Sequence, residues 1–307
     1  MIQGIFPALI TPLDGGKTVN FDTLRKLVDF HIQSGVHGFF VCGGSGEGLL
    51  LSVEERKAVL ETVKEAANGR AQIIAHIGAL ATATAQELAA HAAELGVDAV
   101  AAVPPFYFRV DDDALYDHYR LIAEAAQGTP VHLYNIPSAT GVEINARIMA
   151  KLIKIPTVRG IKYSSYNLFD IRNIMELLPN GELTVLSGFD EVCVPALAMG
   201  VPGAIGSTYN VLPATFAVIY RLMKQNNLPA AQEWQFRANH VIQALLKVPL
   251  VAGIKAILTE WGYPSGDPRR PQRPLTAEER TLILKSVEEV GLVQLEAEAR
   301  ELLQTLN

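Results

Sequence analysis

Short apolar runs alternate with helical patterns eight times along this chain, and no other feature limits its fold as strongly. The apolar runs are typical of strands and occupy residues 5–13, 38–43, 72–78, 99–104, 131–137, 158–164, 183–188 and 203–207. The helical patterns that follow them occupy residues 21–34, 52–69, 81–96, 112–127, 145–155, 167–178, 191–200 and 213–225. Ser52, with Glu55 three residues later, has the spacing of a capping box at a helix N-terminus.

Eight strand–helix units predict an α/β fold with a parallel sheet. The strand runs are apolar throughout, as expected when helices or side chains cover both faces of a sheet. Eight units match a (β/α)8 barrel, the TIM barrel, which typically takes about 250 residues. The competing arrangement is a doubly wound open sheet. We favour the barrel, because no Gly-x-Gly-x-x-Gly motif follows the first strand.

The strand patterns stop after Asn227. Helical patterns continue at residues 229–247, 250–261, 276–290 and 296–306, with a proline-rich loop at residues 263–274. We therefore predict a barrel of residues 1–225 that carries the active site, followed by a C-terminal helical domain of residues 226–307. This helical domain would cap the barrel or form an oligomer interface.

Composition excludes several classes of protein. Apolar residues make up 49% of the 307-residue chain and charged residues 19%, which excludes disorder over most of its length. The net charge of −6, without a basic stripe, argues against nucleic-acid binding. Two cysteines cannot form a disulfide scaffold or a four-ligand zinc site, and the seven histidines show no metal-binding spacing.

The N-terminal residues lack the charged and apolar regions of a signal peptide. No uninterrupted run of about 18 apolar residues is present to span a membrane. We therefore expect a cytoplasmic protein that binds no membrane and needs no metal or other cofactor.

Lys162 lies inside an otherwise apolar strand, where lysine is rarely found without a partner. It could extend its amine to solvent or pair with a carboxylate, which would be a structural role. Burial also disfavours the charged ammonium, and a neutral amine can attack a ketone to form a Schiff base. Tyr134, near the end of the neighbouring strand, is the candidate acid/base group for such chemistry.

A glycine-rich loop at residues 43–48, Gly-Gly-Ser-Gly-Glu-Gly, follows the second strand. Backbone N–H groups in such a turn can hold an anion such as a carboxylate. The alternative is a βα turn whose glycines only satisfy backbone conformation. In a barrel both this loop and Lys162 would lie near the carboxyl ends of the strands, where active sites form.

In these motifs the chain resembles the superfamily of dihydrodipicolinate synthases and N-acetylneuraminate lyases, which are pyruvate-dependent class I aldolases and lyases. The resemblance covers nearly the whole chain. It rests on the Gly-x-x-Gly-Glu loop at residues 43–47, Tyr-Asn-Ile-Pro at 134–137 and Gly-Ile-Lys at 160–162. It implies a (β/α)8 barrel with a C-terminal helical domain, in a homotetramer.

The resemblance also implies roles for individual residues. Lys162 would form the Schiff base, and Tyr134 would be the acid/base group beside the imine. The backbone amides of Gly44 and Ser45, with the Ser45 hydroxyl, would hold the carboxylate of the 2-oxo acid. Tyr107 would match the tyrosine that reaches toward a neighbouring subunit's active site in a proton relay.

Two strand ends resemble the N-acetylneuraminate lyase subgroup. One carries Gly188, Phe189, Asp190 and Glu191, and the other carries Ser207 in Gly-Ser-Thr-Tyr-Asn. In that subgroup the acidic pair and the serine bind sugar hydroxyls, which suits carboxylate acceptors. Charge at a helix N-terminus is a sufficient alternative explanation of the acidic pair, but with the family resemblance we favour sugar recognition.

Three further positions bear on the subgroup. Ser164 matches a position at which the lyases carry a small hydroxyl residue. Residues 138–141 read Ser-Ala-Thr-Gly, whereas dihydrodipicolinate synthases have Ser-Arg-Thr-Gly with a substrate-binding arginine. The alanine argues against that reaction. Gly44 departs from the family, since a hydroxyl residue there normally links the two tyrosines of the relay.

The sequence therefore predicts a lyase that cleaves a 2-oxo-3-deoxy sugar acid, with N-acetylneuraminate as the best single substrate and pyruvate and N-acetylmannosamine as products. One alternative is another sugar-acid aldolase or dehydratase, for example one acting on 2-keto-3-deoxygluconate; the Gly-Gly-Ser-Gly-Glu loop also resembles that dehydratase branch. The other is a non-catalytic sugar-acid binding protein on the same barrel, since fold does not fix function. A mere binding protein would not need both Lys162 and Tyr134.

Overall fold

The computed structural model describes residues 2–178 and 181–306. The strands among these residues are β1 (Gly4–Pro7), β2 (Leu13–Asp14), β3 (Thr18–Val19), β4 (Gly38–Val41), β5 (Gln72–His76), β6 (Ala99–Ala102), β7 (Val131–Asn135), β8 (Val158–Tyr163), β9 (Thr184–Ser187) and β10 (Gly203–Gly206). The helices are α1 (Phe21–Gln33), α2 (Val53–Ala67), α3 (Thr82–Glu94), α4 (Asp112–Ala125), α5 (Pro137–Thr140), α6 (Ala146–Leu152), α7 (Leu168–Met175), α8 (Cys193–Ala198), α9 (Pro213–Lys224), α10 (Leu228–Leu245), α11 (Leu250–Glu260), α12 (Ala277–Glu289) and α13 (Leu292–Thr305).

Eight strands form one parallel sheet in the order β1-β10-β9-β8-β7-β6-β5-β4. The two outer strands of this order meet. A parallel bridge joins Ala8 to Phe40, and the Leu9 N–H donates to the Phe40 carbonyl at 3.1 Å. The sheet therefore curls into a nearly closed barrel, which confirms the predicted (β/α)8 fold. The doubly wound open sheet is wrong for this chain.

Local sequence signals explain where the helices begin. Ser52 accepts from the Glu55 backbone N–H, and the Glu55 side chain accepts from the Ser52 N–H, so the predicted capping box of α2 is confirmed. Thr276 and Glu279 form the same arrangement at α12. Helix α13 begins at Leu292, four residues before the predicted start, directly after Gly291 in a left-handed conformation.

One antiparallel element was not expected. The first apolar run was predicted as a single strand of residues 5–13, but β1 ends at Pro7. Leu13 then pairs with Val19 in a short hairpin of β2 and β3. Proline at positions 7 and 12 removes two backbone donors from this run, which prevents a continuous ladder.

The core has two parts, because parallel strands expose one face to the barrel interior and one to the helices. Inside the barrel lies a compact cluster that includes Phe6, Phe40, Ile74, Tyr134 and Ile205. A larger cluster fills the space between the strands and the surrounding helices.

The C-terminal helices pack directly on the barrel helices. Both α10 and α13 pack against α9, and the outer core cluster continues into them. The division into domains at residues 225 and 226 stays a prediction. In residues 2–178 and 181–306 no single helix has the length and apolar character to cross a membrane, although α10 and α11, bent by 104°, meet that test as a pair.

A buried ion pair joins the glycine-rich loop to α11. Lys255 Nζ donates to Glu47 Oε1 at 2.5 Å, and both side chains are fully buried. The other carboxylate oxygen of Glu47 accepts from the backbone N–H of Arg269. Burial lowers the pKa of Lys255, and the Glu47 carboxylate offsets part of that effect. The loop, the helix and the segment around Arg269 are thus fixed together.

Replacing Lys255 with Met should lower the free energy of unfolding by about 3–5 kcal/mol, because the Glu47 carboxylate would stay buried without its cation. Chemical denaturation at fixed protein concentration measures the change. The control is Lys285→Met, which removes an exposed pair with Glu289 and should cost less than about 1 kcal/mol. Similar losses in the two variants would contradict the importance of the buried pair.

Candidate active site

A cavity of about 350 Å³ opens at the carboxyl ends of the barrel strands. Nine of the ten predicted site residues line it, namely Gly44, Ser45, Tyr134, Lys162, Ser164, Gly188, Asp190, Glu191 and Ser207. They come from the ends of β4, β7, β8, β9 and β10 and the loops that follow. Active sites of (β/α)8 barrels lie at this face, so the position of the cavity agrees with a catalytic role.

Lys162 reaches the cavity from inside the barrel. Strands β7 and β8 place Tyr134 and Lys162 directly opposite each other, so both side chains project to the same side. Lys162 is 4% exposed, and its Nζ lies 4.3 Å from the ring centroids of both Phe40 and Tyr134. No residue of the described chain forms a hydrogen bond or ion pair with this amine. It is therefore free to react with a ligand in the cavity.

Tyr134 is held by two further rings. Phe40 and His76 contact it edge to face, with centroid distances of 5.5 and 5.8 Å. Burial lowers the pKa of His76 to about 3, so its imidazole is neutral near pH 7. Its Nδ1 contacts the Cys42 carbonyl at 2.9 Å. The phenol of Tyr134 has no hydrogen-bond partner among the described residues and remains available to a ligand or water.

The glycine-rich loop makes a tight turn. Cys42 and Glu47 both adopt left-handed backbone conformations, and the Thr11 hydroxyl donates to the Gly46 carbonyl at 2.7 Å. Within residues 2–178 and 181–306, the Gly44 and Ser45 N–H groups have no acceptor. Two unpaired amides at the wall of a cavity can bind an anion such as a carboxylate.

Serines and glycine complete this wall. The hydroxyls of Ser45 and Ser207 lie 2.7 Å apart, which joins the loop to the end of β10. A Cβ at Gly188 would overlap the Ser164 hydroxyl, so only glycine leaves room for that side chain. At Gly44 a Cβ would meet no heavy atom within 4 Å, and the departure from the family pattern therefore leaves open space.

Asp190 is a buried acceptor. Its Oδ2 accepts from the backbone N–H and the hydroxyl of Thr208, at 2.8 and 2.7 Å. Burial raises the pKa of this carboxyl to about 6, and the Thr208 hydrogen bonds offset part of the rise. Glu191 follows at the half-buried rim of the cavity. Asp190 is thus the deeper of the two carboxylates, and Glu191 lies nearer the rim. Each can accept hydrogen bonds from hydroxyl groups.

Tyr107 lies outside the cavity of its own chain. It is 87% exposed, packs edge to face against Phe108 and has a left-handed backbone. Its position is compatible with a contact to another chain, and its predicted role in a relay stays a prediction. The described residues contain no group of three or more His, Cys, Asp or Glu side chains placed to hold a metal ion.

Sequence reasoning missed one side of the cavity. Its apolar wall includes Ile136 after β7, Ile242 in α10, Leu246 directly after that helix, and Leu250 and Val251 at the start of α11. The last four residues belong to ordinary helical patterns in the sequence, which do not indicate the side of the barrel that these helices cover. Phe40 was also missed, although it could have been found, since it occupies a predicted strand that leads to the glycine-rich loop.

Comparisons with known proteins agree with this geometry. The model of the dihydrodipicolinate synthetase family matches residues 1–290. N-acetylneuraminate lyase of Escherichia coli is 38% identical over 257 residues, which cover 84% of this chain and 86% of that protein. A catalytic lysine mutant of Ruminococcus gnavus sialic acid aldolase superposes with a TM-score of 0.91 at 31% identity, covering 97% of both chains. Dihydrodipicolinate synthase from Aquifex aeolicus superposes with a TM-score of 0.89 at 30% identity, covering 95% of this chain and 99% of that one.

The raised pKa of Asp190 predicts a pH-dependent stability. The folded-state pKa of Asp190, about 6, exceeds the usual 3.8. Its contribution to the free energy of unfolding is therefore present in full below pH 3.8 and is lost as the pH rises through 6. Between pH 4 and pH 7, the free energy of unfolding should fall by about 2 kcal/mol relative to Asp190→Asn. Urea denaturation of both proteins across this range measures the difference. Parallel pH profiles would contradict the burial of an ionisable group here.

Proposed function

The chain belongs to the dihydrodipicolinate synthetase family, and from this premise we propose that it is a Schiff-base lyase cleaving N-acetylneuraminate to pyruvate and N-acetylmannosamine. The observation that carries the proposal is the buried, unpaired amine of Lys162 opposite Tyr134 in the cavity. The relatives named for N-acetylneuraminate lyase and sialic acid aldolase support this substrate.

The reaction begins at Lys162. Its amine attacks the C2 ketone of the open-chain sugar acid. The resulting carbinolamine takes a proton from the Tyr134 phenol and loses water, which leaves a protonated imine on Lys162. This cation accepts the electrons of the neighbouring C3–C4 bond, and the deprotonated Tyr134 removes the C4 hydroxyl proton as that bond breaks. The aldehyde leaves, and an enamine of pyruvate remains on Lys162.

The second half of the reaction returns the enzyme to its starting state. The enamine takes up a proton at C3 from Tyr134, whose ring centroid lies 4.3 Å from Lys162 Nζ. Water then adds to the protonated imine and returns a proton to Tyr134, the C–N bond breaks, and pyruvate departs from the regenerated amine. The N–H groups of Gly44 and Ser45 and the Ser45 hydroxyl hold the substrate carboxylate through both halves, which keeps C2 at Lys162.

The remaining wall recognises the sugar. Asp190 and Glu191 accept hydrogen bonds from its hydroxyl groups, and the Ser164 and Ser207 hydroxyls serve as further partners. Gly188 takes part by leaving room for Ser164. Since Asp190 is buried and Glu191 lies at the rim, they would contact carbons at different distances from the imine.

We further propose a cytoplasmic homotetramer in which Tyr107 of one subunit approaches the cavity of its neighbour. The exposure and left-handed conformation of Tyr107 support such a contact. Because Gly44 offers no hydroxyl to join Tyr107 to Tyr134, a water molecule has to bridge them in the relay. A Cβ at Gly44 would meet no heavy atom within 4 Å, and this open space supports the bridging role of water.

Lys162→Ala should abolish pyruvate release from N-acetylneuraminate while leaving the fold intact, because no other described residue of the cavity wall carries an amine that can form the imine. Tyr134→Phe should lower kcat by about 10²–10⁴-fold, the usual contribution of general acid–base catalysis. A lactate dehydrogenase-coupled assay measures pyruvate, and circular dichroism checks the fold. The control is Lys151→Ala, which removes a surface ion pair with Asp113 and should retain activity.

Retained turnover in folded Lys162→Ala would contradict the proposal. The same assay with 2-keto-3-deoxygluconate tests the alternative. Cleavage of that shorter acid in preference to N-acetylneuraminate would assign the chain to another sugar-acid aldolase with the same imine chemistry. Binding of both acids without pyruvate formation would indicate a non-catalytic binding protein.

A further inference from the structure

Tyr166 contacts residues at the rim of the cavity but does not line the cavity itself. It follows the end of β8, and its phenol donates to Glu191 Oε1. Its ring packs against Phe189 at an interplanar angle of 50°, with the centroids 4.5 Å apart. Glu191 and Phe189 both line the cavity, whereas Tyr166 does not and is 62% exposed. Tyr166 therefore contacts two wall residues, on either side of Asp190, without lining the space that a substrate would fill.

The Glu191 carboxylate is held at one oxygen and open at the other. Oε1 accepts from Tyr166, and Oε2 has no partner among the described residues. The main chain is also anchored, because the Asn239 side-chain amide donates to the Glu191 carbonyl at 3.3 Å. The hydrogen bond to the carboxylate raises the pKa of Tyr166 to about 12, so the phenol remains a donor at neutral pH.

Depth in the cavity decides which part of a substrate Glu191 can reach. Lys162, which would hold C2, is almost completely buried, and Asp190 is buried on the same wall. Glu191 is half-buried and lies beside the exposed Tyr166. With C2 at Lys162, a hydroxyl that reaches the open Glu191 oxygen is therefore expected farther along the polyol chain than one that reaches Asp190. A long polyol chain has more such distal hydroxyls than a short one.

We propose that Tyr166 is a positioning residue that makes the site selective for long-chain 2-oxo sugar acids, by orienting Glu191 so that its free oxygen accepts from a distal hydroxyl. This inference rests on the proposed lyase function and specifies its substrate class. A phenol–carboxylate hydrogen bond is charge-assisted and directional, so it limits the rotation of the Glu191 side chain. Without it the carboxylate would turn toward water, and the distal hydroxyl would lose an oriented acceptor.

The test is Tyr166→Phe, which keeps the ring on Phe189 and removes only the hydroxyl. We compare kcat/KM for N-acetylneuraminate, which has a nine-carbon chain, with kcat/KM for 2-keto-3-deoxygluconate, which has six carbons. The ratio of the first to the second should fall about five- to tenfold, the usual effect of losing one hydrogen bond. Most of the change should appear in KM for the longer acid, because the imine chemistry at Lys162 is untouched. In a Glu191→Gln background, Tyr166→Phe should have much less effect on the ratio.

Tyr163→Phe is the matched control. Tyr163 is three residues away and also donates to a carboxylate, Asp170, at 2.8 Å, but this contact lies between β8 and α7, outside the barrel. Its loss should lower stability and leave the substrate ratio unchanged. If Tyr166 had only a structural role, Tyr166→Phe would likewise lower stability and leave the substrate ratio unchanged.

The outcomes separate the two hypotheses. An unchanged ratio in Tyr166→Phe, or an equal loss with both acids, would overturn the role of Tyr166 while pyruvate release still supported the lyase. Absence of pyruvate from both acids with the unmodified protein would overturn the lyase function and, with it, the substrate class assigned here.

Discussion

The buried ion pair of Glu47 and Lys255 connects the two parts of the chain that enclose the cavity. Glu47 ends the tight turn that presents the Gly44 and Ser45 amides, and Lys255 belongs to α11, whose first residues form part of the apolar wall. An uncompensated charge at this depth is strongly unfavourable, so loop and helix have to keep their relative positions. The C-terminal helices therefore help to form the site, although the residues proposed to react belong to the barrel.

Two buried lysines in this chain have opposite environments. Lys255 is satisfied by Glu47 and by the Asp267 carbonyl, and it does not line the cavity. The Lys162 amine lies against the rings of Phe40 and Tyr134, has no hydrogen-bond or ion-pair partner among the described residues, and opens into the cavity. The first arrangement uses charge to fix structure, and the second leaves an amine without a competing partner. Since burial alone does not distinguish a structural from a reactive lysine, the contrast in partners supports the assignment of the imine to Lys162.

Much of the barrel and of its polar wall could be predicted from the sequence. Strand–helix alternation is a local pattern, and parallel strands bring their carboxyl ends to one edge, so Tyr134, Lys162 and Asp190 could be placed together without knowing the packing. The contribution of α10 and α11 could not be predicted, because Ile242 and Leu250 read only as a helical core pattern. The hairpin of β2 and β3 was missed since each strand has only two residues. The relay role of Tyr107 depends on a second chain and stays a prediction.

The proposed reaction requires that the Lys162 amine forms an imine with a 2-oxo acid. The most direct test is to incubate the protein with pyruvate and borohydride and to map the reduced adduct by peptide mass spectrometry. A pyruvate adduct on Lys162, absent from Lys162→Ala and from samples without borohydride, is the predicted result. A folded protein that shows no adduct, or carries it on Lys255 or a surface lysine instead, would contradict the account.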